Sequence, residues 1–151
     1  SSPLKEIPIG KAEVLKDGED AAILVIGSMV YPALEAASRL EKNGIKAMVI
    51  NSRFVKPVDE ELIVALAGKA CKIITIEESA LQGGFGSAVL EVLEKMDITD
   101  CRIKRIGVPD KFVEHGSQKE LRGLLGLDAD GIEKTVKDMM RDNAGERKMA
   151  Y

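Results

Sequence analysis

The chain has 151 residues, 45% of them apolar and 31% charged, which suits one domain with a buried core of its own. Its net charge of −3 and pI near 5.3, with Lys and Arg interspersed among Asp and Glu, leave no basic surface for nucleic acid. No apolar run approaches the roughly 20 residues of a membrane span; residues 21–26 form one with the length of a strand, and no signal peptide is visible.

In chain order, residues 11–16 (KAEVLK) run into the turn signal Asp17-Gly18 and can pair antiparallel at a sheet edge. Residues 21–27 (AAILVIG) form a continuous apolar run, the pattern of a strand buried on both faces. Val30, Ala33, Leu34 and Ala37 follow at helical spacing, with Pro32 in the first turn and Asn43-Gly44 as C-cap. Residues 45–51 (IKAMVIN) read as a second strand. Asp59 caps a helix whose apolar face is Ile63, Leu66, Ala67 and Ala70.

A third strand is predicted over residues 72–77 (KIITIE), then a helix with Val89, Val92, Leu93 and Met96 in its stripe. Residues 102–108 (RIKRIGV) read as a fourth strand, polar enough for a place near an edge. Ser117-Gln-Lys-Glu120 is a capping box ahead of Leu121, Leu124 and Leu125. Asp130-Gly-Ile-Glu133 repeats the signal ahead of Ile132, Val136, Met139 and Met140. The polar, aperiodic stretch 141–151 is expected to be a flexible tail.

Strands alternating with single helices require parallel pairing through right-handed crossovers. The predicted fold is a three-layer α/β/α domain. Its five-stranded sheet has four parallel strands and one antiparallel edge strand.

The candidate chemistry gathers around EESALQGGFGSAVLEVL, residues 77–93. Three glycines fall between an expected strand and an expected helix, where α/β proteins often hold a phosphate. Both phosphate templates fail. G-x-G-x-x-G begun at Gly84 meets Val89 where a third Gly belongs, and no Lys follows Gly86 as a P-loop demands. Glycines that let a helix start close to the sheet, leaving free N–H groups, fit better.

Glu77 and Glu78 point to opposite faces of an extended strand, so they cannot act on one atom as an acid/base dyad. One of them is expected to pair with Arg53 or Lys56 and the other to face a partner, unless both are a plain polar strand end. His115, the only histidine, has neither the companions of a zinc site nor a G-x-S-x-G nucleophile; it reads as a turn or interface residue. Cys71 and Cys101 form no C-x-x-C and fit a reduced, cytoplasmic setting. The polar strand ends share one sheet edge, suited to docking but lacking a complete catalytic set.

Four segments in this order resemble one family: Ile7-Pro-Ile-Gly-Lys11, Asn51-Ser-Arg-Phe-Val-Lys-Pro57, Glu77-Glu78 with Gly83-Gly-Phe-Gly-Ser-Ala-Val89, and Pro109-Asp-Lys-Phe-Val-Glu-His-Gly116. They are similar to the C-terminal domain of the transketolase family, in its 1-deoxy-D-xylulose-5-phosphate synthase branch. The second and fourth segments are the more specific to that branch. The E-E…G-G-x-G-S-A-V element also occurs in 2-oxoacid dehydrogenase β subunits, whose protein-docking domain is the alternative.

The resemblance implies a homodimeric enzyme that uses thiamine diphosphate and Mg²⁺ to condense pyruvate with D-glyceraldehyde 3-phosphate. CO₂ is lost, and the product feeds isoprenoid, thiamine and pyridoxal synthesis. The family's metal-binding Gly-Asp-Gly is absent here, so no catalytic, cofactor or metal residue is carried over. Residues 1–10 then become a linker from upstream pyrimidine- and diphosphate-binding domains, and residues 11–140 an assembly domain that is inert alone; the start at Ser1 rather than Met fits such a piece. The interface candidates are Glu77, Glu78, Gly83, Gly84, Phe85 and Gly86, followed by Phe112, Glu114 and His115.

Overall fold

The structure is a computed structural model that describes residues 5–69, 72–110 and 116–149. Five strands, β1 (Glu13–Lys16), β2 (Ala21–Val25), β3 (Ala47–Asn51), β4 (Lys72–Ala80) and β5 (Arg102–Val108), form one sheet in the order β1-β3-β2-β4-β5. β1 pairs antiparallel with β3, and the other neighbours are parallel, as the sequence predicts. The helices are α1 (Val30–Lys42), α2 (Glu60–Lys69), α3 (Phe85–Lys95), α4 (Gln118–Leu125) and α5 (Ala129–Met149).

Strand alternation divides the apolar side chains between two cores. Ala21, Ile23 and Val25 of β2, with Ile74 and Ile76 of β4, face α1 and α5. Ala22, Leu24, Ile50 and Ile73 face α2 and α3 across the sheet. β2 is central and buried along its whole length. Arg39 of α1 ties α1 to α5 by pairing with Asp130 and Glu133. Lys137 and Arg39 hold the Glu133 carboxyl below the usual carboxylate range.

The helix signals hold in part. Asp59 Oδ1 accepts from the Leu62 N–H at 3.2 Å, and Ser117 Oγ accepts from the Glu120 N–H at 3.2 Å. The last helix, however, is not capped by Asp130. Gly126 ends α4 in the left-handed region (φ 73°), and Asp128 then caps α5 by accepting from the Gly131 N–H at 2.8 Å.

Three further expectations change. Met96 is the C-cap of α3 and 43% exposed, outside the apolar stripe. Leu124 is 67% exposed. α5 continues to Met149 rather than stopping near Arg141: no Pro interrupts residues 141–149, and Arg, Glu, Lys and Ala there favour a helix without an apolar repeat.

α4 and α5 meet through a glycine. A Cβ on Gly131 would come within 2.4 Å of Gly126 Cα, a backbone atom that cannot step aside. Gly131→Ala is therefore expected to lose about 1–3 kcal/mol to overpacking, read as a fall in the urea midpoint at unchanged m-value. An unchanged midpoint would show that the α4–α5 corner tolerates the methyl.

Candidate functional site

The glycine turn is a cradle for an anion, and the chain supplies that anion itself. β4 runs three residues past its expected end, so Glu77 lies inside the strand rather than at its tip. It shares a face with Ile73 and Thr75 and points at the start of α3. The side chain is fully buried. Its Oε1 accepts from the Phe85 N–H at 2.9 Å and the Ser79 hydroxyl at 2.8 Å, while Oε2 accepts from the Gly86 N–H at 2.6 Å.

The amides at a helix N-terminus lack intrahelical acceptors and carry the positive end of the macrodipole. A carboxylate placed there satisfies two of them. The N–H groups expected to be free are thus taken from within the domain.

The glycines follow from that contact. A Cβ on Gly84 would come within 1.9 Å of Glu77 Oε1, so only glycine lets the carboxyl reach the helix. A Cβ on Gly86 would meet Thr75 Oγ1 at 2.7 Å and Arg105 Cδ at 2.9 Å, the close helix–sheet approach read from the sequence. Gly83 has φ 73° and open space around it. Its N–H donates to Ser87 Oγ at 3.2 Å, and that hydroxyl donates to the Leu81 carbonyl at 2.8 Å.

Glu78 takes the opposite face. It accepts from Ser28, at the 3-10 turn Gly27–Met29 after β2, and pairs with Arg122 of α4. β2 and β4 are adjacent strands whose onward connections leave in opposite directions, so this contact lies at the sheet's switch point, where open α/β folds usually bind ligands. Here Glu78 engages both Ser28 and Arg122.

The expected pairing of Glu77 or Glu78 with Arg53 or Lys56 does not form. Arg53 turns to Glu13 of β1 instead, because β3 is separated from β4 by β2. Among the interface candidates, Glu77, Phe85 and Gly86 are enclosed within the domain, and Glu78 and Gly83 remain at the surface. Phe112, Glu114 and His115 lie outside the described residues.

Among the described residues no three Asp, Glu, His or Cys side chains converge on a metal-sized point. With the glycine turn filled by Glu77, the described residues there do not fit a diphosphate and its metal ion. Nor is any helix of the described residues long and apolar enough to cross a membrane.

A family model for the transketolase C-terminal domain matches residues 10–132. The chain belongs to that family. This transketolase C-terminal domain is 58% identical over 129 residues to 1-deoxy-D-xylulose-5-phosphate synthase 1 of Geobacter sulfurreducens, covering 85% of the chain and 20% of the relative. It is 49% identical over 137 residues to the 1-deoxy-D-xylulose-5-phosphate synthase of Aquifex aeolicus, covering 91% and 22%. The chain therefore spans about one fifth of the length of these curated relatives.

Among solved structures, a split-gene transketolase described as an inactive β4 tetramer superposes with a TM-score of 0.82 at 37% identity. The match covers 91% of this chain and 45% of that one. The Campylobacter jejuni transketolase, at 22% identity and a TM-score of 0.59 over 91% of this chain and 20% of that one, shares the fold.

Two substitutions separate the two glutamates. Glu77→Ala is expected to cost on the order of 3 kcal/mol, because two backbone donors lose their buried acceptor. Glu77→Gln is expected to cost less, since the amide keeps one oxygen but turns its NH₂ toward a backbone N–H. Chemical denaturation ranks them; equal, small losses would mean that the carboxyl does not hold the helix.

Arg122→Ala removes a partly exposed pair, worth about 1 kcal/mol or less to global stability. Its expected signature is local: faster amide exchange across residues 118–125 with little change in midpoint. Exchange unaltered there would show that α4 is held by packing alone.

Proposed function

We propose that this chain is the non-catalytic, C-terminal assembly domain of a cytoplasmic, homodimeric 1-deoxy-D-xylulose-5-phosphate synthase. The observation that carries the reading is 58% identity across most of the chain to a synthase of which it covers one fifth. The chain's own chemistry supports it. Among the described residues at the sheet edge, the Glu77 carboxyl is held by the Phe85 and Gly86 amides, and Glu78 by Ser28 and Arg122.

In the whole enzyme, thiamine diphosphate with Mg²⁺, held by the upstream domains, supplies the electron sink for decarboxylating pyruvate and joining it to D-glyceraldehyde 3-phosphate. This domain supplies a rigid body on which those domains and the second subunit pack. The docking domain of a 2-oxoacid dehydrogenase β subunit is not favoured, since the relatives cited above are synthases.

The test uses the chain alone and a chimera in which it replaces the matched C-terminal region of the Geobacter sulfurreducens synthase. Titrating the isolated chain with thiamine diphosphate and Mg²⁺ is expected to give no saturable signal, and pyruvate with the triose phosphate no product; the chimera is expected to turn over. Turnover by the isolated chain, or an inert chimera, would contradict the reading.

A further inference from the structure

Among the described residues, exposed apolar side chains concentrate in the first tenth of the chain. Ile9 is 78% exposed, Ile7 53%, Val14 43% and Leu15 37%. These residues belong to one edge of the domain. Val14 stands opposite Ile50, whose side chain belongs to the α2–α3 core. Just before it, the Ala12 N–H donates to Asp59 Oδ2 at 3.0 Å, and Gly10 lies against Pro57 at the approach to α2. The stretch carrying Ile7 and Ile9 is therefore fastened beside β1, with its largest side chains turned to solvent.

On the reading proposed above, we infer that this patch is the face on which the preceding domain of the same polypeptide docks. Connectivity selects that occupant. In the longer relatives the matched region is C-terminal, so the rest of such a polypeptide joins this domain from its N-terminal side, ahead of Ile7 and Ile9. A covalent link on that side keeps the preceding domain beside this patch at high effective concentration.

A second copy adding a strand at this edge fits less well. β1 has only four residues, its register shifts between Val14 and Lys16, and it carries Lys16, all features that discourage edge-to-edge pairing. Docking here uses side chains rather than backbone. It also leaves Glu77 and the glycine turn as internal structure, and places the main interface at the β1 edge of the sheet instead.

Hydroxyl-radical footprinting of the isolated chain and of the chimera locates the face. Labelling of Ile7, Ile9, Val14 and Leu15 is expected to fall severalfold in the chimera, while Tyr31, on α1 and 80% exposed, keeps its reactivity. An active chimera in which those four side chains react as in the free chain would overturn the docking face and leave the domain assignment standing. An inactive chimera would overturn the assignment itself. Ile9→Asp with Val14→Asp in the chimera is expected to loosen domain packing, exposing the wild-type chimera's protected sites again while the isolated double variant keeps its far-UV circular dichroism; protection unchanged by the two charges would also refute the inference.

Discussion

The buried carboxyl of Glu77, clamped on the Phe85 and Gly86 amides, is the contact around which the rest of this edge is arranged. A fully buried acidic group is costly unless each oxygen finds donors, and a helix N-terminus is a ready source of them. Meeting both needs at once fixes where α3 starts relative to β4 and how near the two approach. It also fixes which residues must be glycine. Gly84 has no room for a methyl group because the carboxyl passes there, and Gly86 has none because Thr75 and Arg105 lie beneath it.

That arrangement explains how a glycine-rich strand-to-helix turn can exist without a nucleotide. The geometry that would receive a phosphate is present, but the anion is covalently part of the fold. Glu78 does something similar one residue on, joining the end of β2 to α4 through Ser28 and Arg122. Adjacent glutamates thus stabilise two different layers because a strand sends neighbouring side chains to opposite faces. At this edge both carboxyls are therefore taken up by contacts within the domain.

Most of the architecture was legible because each strand announces itself as an apolar run and each crossover as an amphipathic stretch. The β1 edge pairing and the polar outer strand followed from the same signals. Less legible were features decided by register. Whether β4 ends at Glu77 or at Ala80 determines whether that glutamate is a tip or an interior residue, and polar composition pointed to a tip. Parity was the available signal: Glu77 keeps step with Ile73 and Thr75, which face the α2–α3 layer. The cap of α5 was misplaced at Asp130: Gly126 in the left-handed region ends α4, and Asp128 two residues on takes the cap. Exposure of Leu124 and Met96 could not be read from periodicity, since helical spacing marks a face without saying what covers it.

Site-resolved native-state hydrogen exchange of the Phe85 and Gly86 amides tests the central contact most directly. If the Glu77 carboxyl holds them, both amides exchange only through global unfolding, and added inorganic phosphate leaves their rates unchanged. Rapid exchange at these two amides in a folded domain, or protection that appears only when phosphate is supplied, would contradict the account.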